Sequence, residues 1–112
     1  MSESDLYGAL MIEATRLGHR LFRNNIGVAR YQRGGSKFAV PYGVGGPGGS
    51  DLIGWTSVRN VAILTAIECK SPKKKPTKEQ QAFLAAVRNA GGIAGVVESI
   101  ADYHKLIGHT EP

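Results

Sequence analysis

The spacing of apolar residues changes period along the chain, and each period predicts an element. Leu6, Leu10, Ile12, Ala14 and Leu17 recur at roughly helical spacing, which predicts a helix over 4–17 with Ser4 placed to cap it and Gly18 to end it. Leu21-Phe22-Arg23 reads as a short strand stopped by Asn24-Asn25-Ile26-Gly27, where the two asparagines are most simply turn formers. Residues 28–32 and 37–40 predict a hairpin across Arg33-Gly34-Gly35-Ser36. Residues 42–50 hold five glycines and a proline, a loop, and 51–55 read as a strand.

The clearest strand covers 60–70. Val61, Ile63, Thr65, Ile67 and Cys69 share one face, and Ala62, Leu64, Ala66, Glu68 and Lys70 share the other. Both faces are mainly apolar until the C-terminal end, the pattern of a central strand covered on both sides. A basic loop fills 71–76. Residues 77–90 predict a helix with Phe83, Leu84, Val87 and Ala90 inward and Gly91-Gly92 as its stop. A strand over 93–97 and a helix capped by Ser99 and running to about Ile107 complete the chain. The strand–helix–strand order predicts a right-handed crossover between parallel strands. The elements together predict the α/β class, a mixed sheet with helices on both sides.

Composition narrows the class. At 112 residues the chain is expected to be one domain, 1–112, and its 42% apolar and 21% charged content is that of a soluble globular protein. A net charge of +5 favours a polyanionic partner, nucleic acid ahead of membrane, because no basic amphipathic helix stands out. The one cysteine excludes an internal disulfide and fits a reducing cytoplasm. Residues 1–15 lack a basic start followed by a long apolar run, so no signal peptide is expected. No stretch approaches the ~18 apolar residues of a membrane span.

Chemistry concentrates in two places. Asp51 leaves the glycine loop, and Glu68-Cys69-Lys70 ends the long strand. Hydrolysis of a phosphodiester requires charge neutralisation on the phosphoryl oxygens, an activated water and a stabilised leaving oxygen. Asp51 and Glu68 can hold Mg²⁺, which prefers carboxylate oxygen. Lys70 shares the face of Glu68, about 6–7 Å further along at ~3.3 Å per residue, and can orient water or stabilise developing charge. The Cys69 side chain points to the other face, into the core, and its backbone carbonyl is a candidate further ligand. A surface ion pair between Glu68 and Lys70 at a strand end is the competing reading.

Four segments occur in order: Gly49-Ser50-Asp51-Leu52-Ile53-Gly54; Ala66-Ile67-Glu68-Cys69-Lys70; Thr77-X-Glu79-Gln80-X-X-Phe83-Leu84; and Gly91-Gly92-Ile93-Ala94-Gly95-Val96. Together they resemble the VRR-Nuc branch of the PD-(D/E)XK nuclease superfamily. Arg23-Asn24-Asn25-X-Gly27 is similar to the stand-alone phage and bacterial members. The resemblance implies a restriction-endonuclease-like core in α-β-β-β-α-β-α order. It implies Mg²⁺- or Mn²⁺-dependent cleavage of DNA, a homodimer, and branched substrates such as four-way (Holliday) junctions. Under it Asp51 and Glu68 are metal ligands, Lys70 is the catalytic lysine, and Gln80 matches the glutamine of the following helix. A glutamate of the first helix also belongs to the pattern. Glu3 fits that position, with Asp5 and Glu13 as rivals. Tyr7 stands where the family usually has glutamine, and Ser50 where the superfamily name implies proline.

Other residues carry two readings each. Gln80 is also the N3 residue of a capping box begun by Thr77. Lys73, Lys74, Lys75 and Lys78 either grip phosphates or line a solvated loop. Arg20, Arg23, Arg30, Arg33 and Lys37 extend the basic character over the hairpin, without a shared face being evident. Trp55 and Tyr42 are candidates for base stacking, with core or dimer packing the simpler role for Trp55. His19, His104 and His109 are too scattered for a metal cluster and read as surface residues. The expected function is a metal-dependent, structure-selective DNA endonuclease leaving 5′-phosphate and 3′-hydroxyl ends in a bacterial or phage-infected cytoplasm. Small size itself favours a symmetric dimer. The alternatives are a non-catalytic DNA-binding accessory module of a replication or repair complex and a protein-interaction domain.

Overall fold

The computed structural model describes residues 2–71 and 74–110. Its elements run α1 (Glu3–Arg16), β1 (Arg20–Arg23), β2 (Gly27–Arg33), β3 (Ser36–Tyr42), β4 (Leu52–Val58), β5 (Val61–Cys69), α2 (Lys78–Asn89), β6 (Ile93–Val97) and α3 (Ile100–Ile107). Four strands form a mixed sheet in the order β1-β4-β5-β6, antiparallel except for the parallel β5–β6 pair. Strands β2 and β3 pair with each other as a separate ribbon. With that ribbon set aside, the order is α-β-β-β-α-β-α, the restriction-endonuclease-like arrangement.

Strand phase decides what each face of the sheet meets. Leu21, Leu52, Ile67, Cys69 and Val97 point to one side and pack with Leu6, Leu10 and Ala14 of α1 and Tyr103 of α3. Leu10 is fully buried there, a burial that stabilises by about 2 kcal/mol. Ala66 and Ala94 point to the other side, against Leu84 and Val87 of α2, with Ile53 and Phe83 at the margin. The buried Thr56 and Thr65 hydroxyls on adjacent strands pair with each other, 2.6 Å apart.

Helix α1 is capped by Ser2, whose side chain accepts from the Asp5 N–H, rather than by Ser4, so the helix begins one residue earlier than the apolar pattern indicates. Helix α2 has the full capping box at Thr77 and Gln80. Ser99 caps α3, and Gly108 ends it in the left-handed conformation that glycine adopts without strain. Strand β5 is covered on both sides only in its second half. Residues from Thr65 to Cys69 are buried, whereas Val61 and Leu64 are 56% and 48% exposed. Helix α2 is too short to cover that end, and Leu64, Trp55 and Phe22 share its open face.

Two sharp features place the site. First, β4 and β5 are joined by Arg59 and Asn60, both at positive φ (50° and 64°), with Val58 paired to Val61. This two-residue turn matches the twist of the strands and fixes their register. Leu52 then lies opposite Ile67, which brings Asp51 level with Glu68. Second, the glycines of the 42–50 loop serve close packing within the protein. A Cβ on Gly48 would lie 2.6 Å from the Glu79 backbone, and one on Gly49 2.2 Å from the Val44 carbonyl. The loop is thereby seated on the first turn of α2, next to the ends of β4 and β5.

Candidate active site

Asp51 is held from several sides. Its Oδ2 accepts the Cys69 N–H at 2.8 Å, across the end of the β4–β5 ladder. Its backbone carbonyl accepts from the Asn24 N–H at 2.9 Å and from Arg23 Nη1 at 2.9 Å. The Arg23 guanidinium lies 4.3 Å over the Tyr7 ring, and the Tyr7 hydroxyl lies close enough to the Asp51 carboxylate to feel its charge. Burial, then the Asp51 charge, push the Tyr7 phenol far above its ordinary value, so it stays neutral.

Glu68 is 1% exposed. Its Oε1 accepts from Gln80 Nε2 at 3.1 Å and lies 3.5 Å from Lys70 Nζ. Its carboxyl group also lies within hydrogen-bonding reach of Asp51. Among the described residues, no protein donor reaches the enclosed Oε2. Burial first, then the contact with the Asp51 carboxylate and its charge, raise the Glu68 pKa well above the carboxylate range; Lys70 opposes them. The contact with Lys70 is therefore mostly enclosed, with the lysine side chain 15% exposed, unlike the surface ion pair of the competing reading.

Gln80 carries both of its sequence readings at once. Its Oε1 accepts the Thr77 N–H, closing the capping box, and its Nε2 faces Glu68. Glu3, on the same side of α1 as Tyr7 four residues on, reaches the strand end and accepts the Ser71 N–H at 3.2 Å. The two rivals do not reach it: Asp5 is exposed, and Glu13 is engaged by Arg16 and His104. Cys69 is fully buried among the α1 and α3 contacts, and burial pushes its thiol up to about 12. Lys74, Lys75 and Lys78 are exposed beside the site, whereas Lys73 lies outside the described residues.

Three participants near the site, Tyr7, Arg23 and Asn24, fall at positions of the family-like pattern, but the sequence assigns none of them its role here. Asn24 is 7% exposed and is an anchor, not a plain turn former. Its amide nitrogen donates to the Val44 and Ser50 carbonyls and its oxygen accepts from the Val44 N–H. Tyr7 and Arg23 form the stacked pair behind Asp51. The histidines are also more engaged than isolated surface residues. His19 Nδ1 accepts from Ser57 N–H, and His104 bridges α3 to Glu13 of α1.

Among the described residues, no three His, Cys, Asp or Glu side chains converge as a ready-made metal cage. Mg²⁺ does not require one, since it is often bound by one or two carboxylates and keeps several waters. The donor set suits a hard cation. Two carboxyl groups are pressed together in a buried place, and one oxygen has no partner.

The structure is a mixed sheet between helices, with Asp51, Glu68 and Lys70 gathered at the end of its central strands. The VRR-NUC domain model matches residues 25–101, and the chain belongs to that family. A nuclease-type, DNA-processing function follows from the membership. Asp51, Glu68, Lys70 and Gln80 lie inside the matched span, and Glu3 lies before it. No curated protein and no solved structure matches the chain. Among the described residues, no helix is long and apolar enough to cross a membrane.

Proposed function

We propose that the chain is a Mg²⁺- or Mn²⁺-dependent DNA endonuclease whose site is built on Asp51, Glu68 and Lys70. The observation that carries this reading is the buried Glu68 carboxyl group. It meets Asp51 on one side and Lys70 on the other, and its Oε2 has no protein donor among the described residues. Two ionised carboxylates held this close repel one another, and a divalent cation between them would offset that repulsion where Lys70 reaches only one of them.

Asp51, Glu68 and the Cys69 carbonyl would hold the ion, with Glu3 placed to add a carboxylate or bind its water. When bound, a divalent cation neutralises phosphoryl charge and acidifies a coordinated water. The remaining work falls to the side chains. The Cys69 N–H fixes the rotamer of Asp51, and Gln80 fixes that of Glu68. Lys70, with its ammonium at the mouth of the pair, stabilises charge on the phosphoryl group and orients the attacking water. Tyr7 lies behind Asp51, and Arg23 packs over the Tyr7 ring while donating to the Asp51 backbone carbonyl.

Branched DNA, including four-way junctions, is the substrate we assign, with 5′-phosphate and 3′-hydroxyl products and a homodimer as the active form. Phe22, Trp55 and Leu64 support the dimer. They leave 49%, 38% and 48% of their surfaces open on one sheet face, an apolar patch that a second copy can cover. The lone, buried cysteine agrees with work in a reducing bacterial or phage-infected cytoplasm. The test is a panel of labelled duplex, nicked, flap and four-way DNAs with Mg²⁺, Mn²⁺ or EDTA. Metal-dependent scission favouring the branched forms is expected. Cleavage that persists in EDTA, or none on any DNA, contradicts the reading.

A further inference from the structure

We infer that the β2–β3 ribbon is a DNA-gripping arm that lays its basic face on the duplex flanking the scissile phosphodiester. The identity of the partner rests on the nuclease reading of the Asp51–Glu68 site; the geometry of the arm does not.

The two strands pair with each other along seven rungs, from Gly27 opposite Tyr42 to Arg33 opposite Ser36. Residues facing one another across a rung share a face, and the face alternates along the strand. The register therefore puts Arg30, Gln32 and Lys37 together on one face with Val28, Ala39 and Pro41, while Ala29, Tyr31, Arg33, Phe38, Val40 and Tyr42 occupy the other. Arg30, Gln32, Lys37 and Ala39 line an open hollow together with Tyr31 and Phe38, which reach its edge from the other face. Arg33 adds a third cation at the tip, on the opposite face, and no acidic residue occurs anywhere from Gly27 to Ser50. No carboxylate within the ribbon itself offsets that charge.

The ribbon is stiff and rooted at the site. Tyr31 and Phe38 stack at 5.3 Å, and the Tyr42 ring lies so close over Gly27 that a Cβ there would be 2.3 Å from its hydroxyl. At the root, the Asn24 side chain joins Val44, just past β3, to Ser50, and the Asn24 N–H binds the Asp51 carbonyl. A backbone passing Asp51 thus lies at the foot of the arm. Seven residues at ~3.3 Å reach about 20 Å, close to six base pairs at ~3.4 Å each. A two-stranded ribbon is also narrow enough for a major groove ~12 Å wide.

The experiment measures binding of a labelled duplex in EDTA across a salt series. It compares the wild type with Arg30→Gln/Lys37→Gln and with Arg59→Gln/Lys105→Gln, which removes equal charge from exposed positions outside the ribbon. The ribbon variant is expected to bind about tenfold more weakly, with a log–log salt slope reduced by about 2; the control keeps its slope. The swap Arg30→Lys/Lys37→Arg, which preserves charge, should restore it. Equal losses in both charge-removing variants would reduce the effect to bulk charge and overturn the proposal. Unchanged DNA binding in the ribbon variant overturns it too, and joined to a loss of self-association in sedimentation it gives the ribbon to a second copy of the chain. Cleavage in Mg²⁺ on the same samples separates the two readings. A wild type that binds through the arm and cuts no DNA overturns the nuclease reading alone.

Discussion

Gln80 joins the cap of α2 to the buried carboxyl group of Glu68. Its Oε1 accepts from Thr77 N–H at 2.8 Å, and its Nε2 donates to Glu68 Oε1 at 3.1 Å. One amide thus sets where the helix starts and how the carboxylate is aimed. The two roles are separable. Glutamate also completes a capping box, so Gln80→Glu should keep the helix start while removing the donor to Glu68. Cleavage is expected to fall at least roughly tenfold with the fold intact. Thr77→Ala should do the reverse, costing about 1 kcal/mol in urea unfolding with cleavage little changed. Equal effects of both variants on cleavage would mean that the amide contact to Glu68 does not matter.

Asn24 anchors the loop that leads into Asp51. Its side chain makes three hydrogen bonds, to both backbone groups of Val44 and to the Ser50 carbonyl. Asn24→Ala strands those partners in a mostly buried place, and about 2–4 kcal/mol of stability should be lost in urea unfolding. Asn24→Asp retains the acceptor for Val44 N–H and loses both donated bonds, so it should be little better. A loss under about 0.5 kcal/mol, the size expected of an ordinary surface change, would refute the anchor role.

The turn at Arg59 and Asn60 holds the β4–β5 register with both residues at positive φ. Arginine is poorly suited to that conformation, whereas Asn-Gly is favoured at two-residue turns of this kind. Replacing the pair by Asn-Gly should raise stability by roughly 0.5–1 kcal/mol. Cleavage should be unchanged, because the register that sets Asp51 beside Glu68 is preserved. A lower melting temperature would contradict the turn geometry.

Glu13 ties α1 to α3 through His104. The Arg16 contact first, then the His104 contact, lower its pKa from 4.5 to about 2. A depressed carboxylate stabilises the fold fully above its unfolded value and loses that stabilisation as pH falls through the folded one. The melting temperature of the wild type should therefore exceed that of Glu13→Gln at pH 5, with the difference shrinking towards pH 2. A difference that stays constant over that window would show that the carboxylate charge is not involved.

Much of this was legible because the period-2 rule is strict. Along β5 it puts Glu68 and Lys70 on one face and Cys69 in the core, where the structure has them. Strand β6 and the cap of α2 follow from equally local signals. What the sequence hid depends on distant partners. Asn24 looks like any turn asparagine until Val44 and Ser50, twenty and twenty-six residues on, close around it. Arg59-Asn60 lacks the glycine that usually marks such a turn, so the register that brings Asp51 level with Glu68 was not readable. The exposure of Val61 and Leu64 reflects the limited length of α2, which an apolar pattern does not record. Only the β2–β3 register shows that Arg30 and Lys37 share a face and that Arg33 lies on the other.

The central claim is that the Glu68 and Lys70 side chains carry metal-dependent DNA cleavage. It is tested most directly by single-turnover cleavage of labelled four-way DNA in Mg²⁺, comparing the wild type with Glu68→Gln and Lys70→Ala and measuring DNA binding alongside. Both variants are expected to bind DNA and to lose cleavage by at least about a thousandfold. Cleavage near the wild-type rate in either variant would contradict the account.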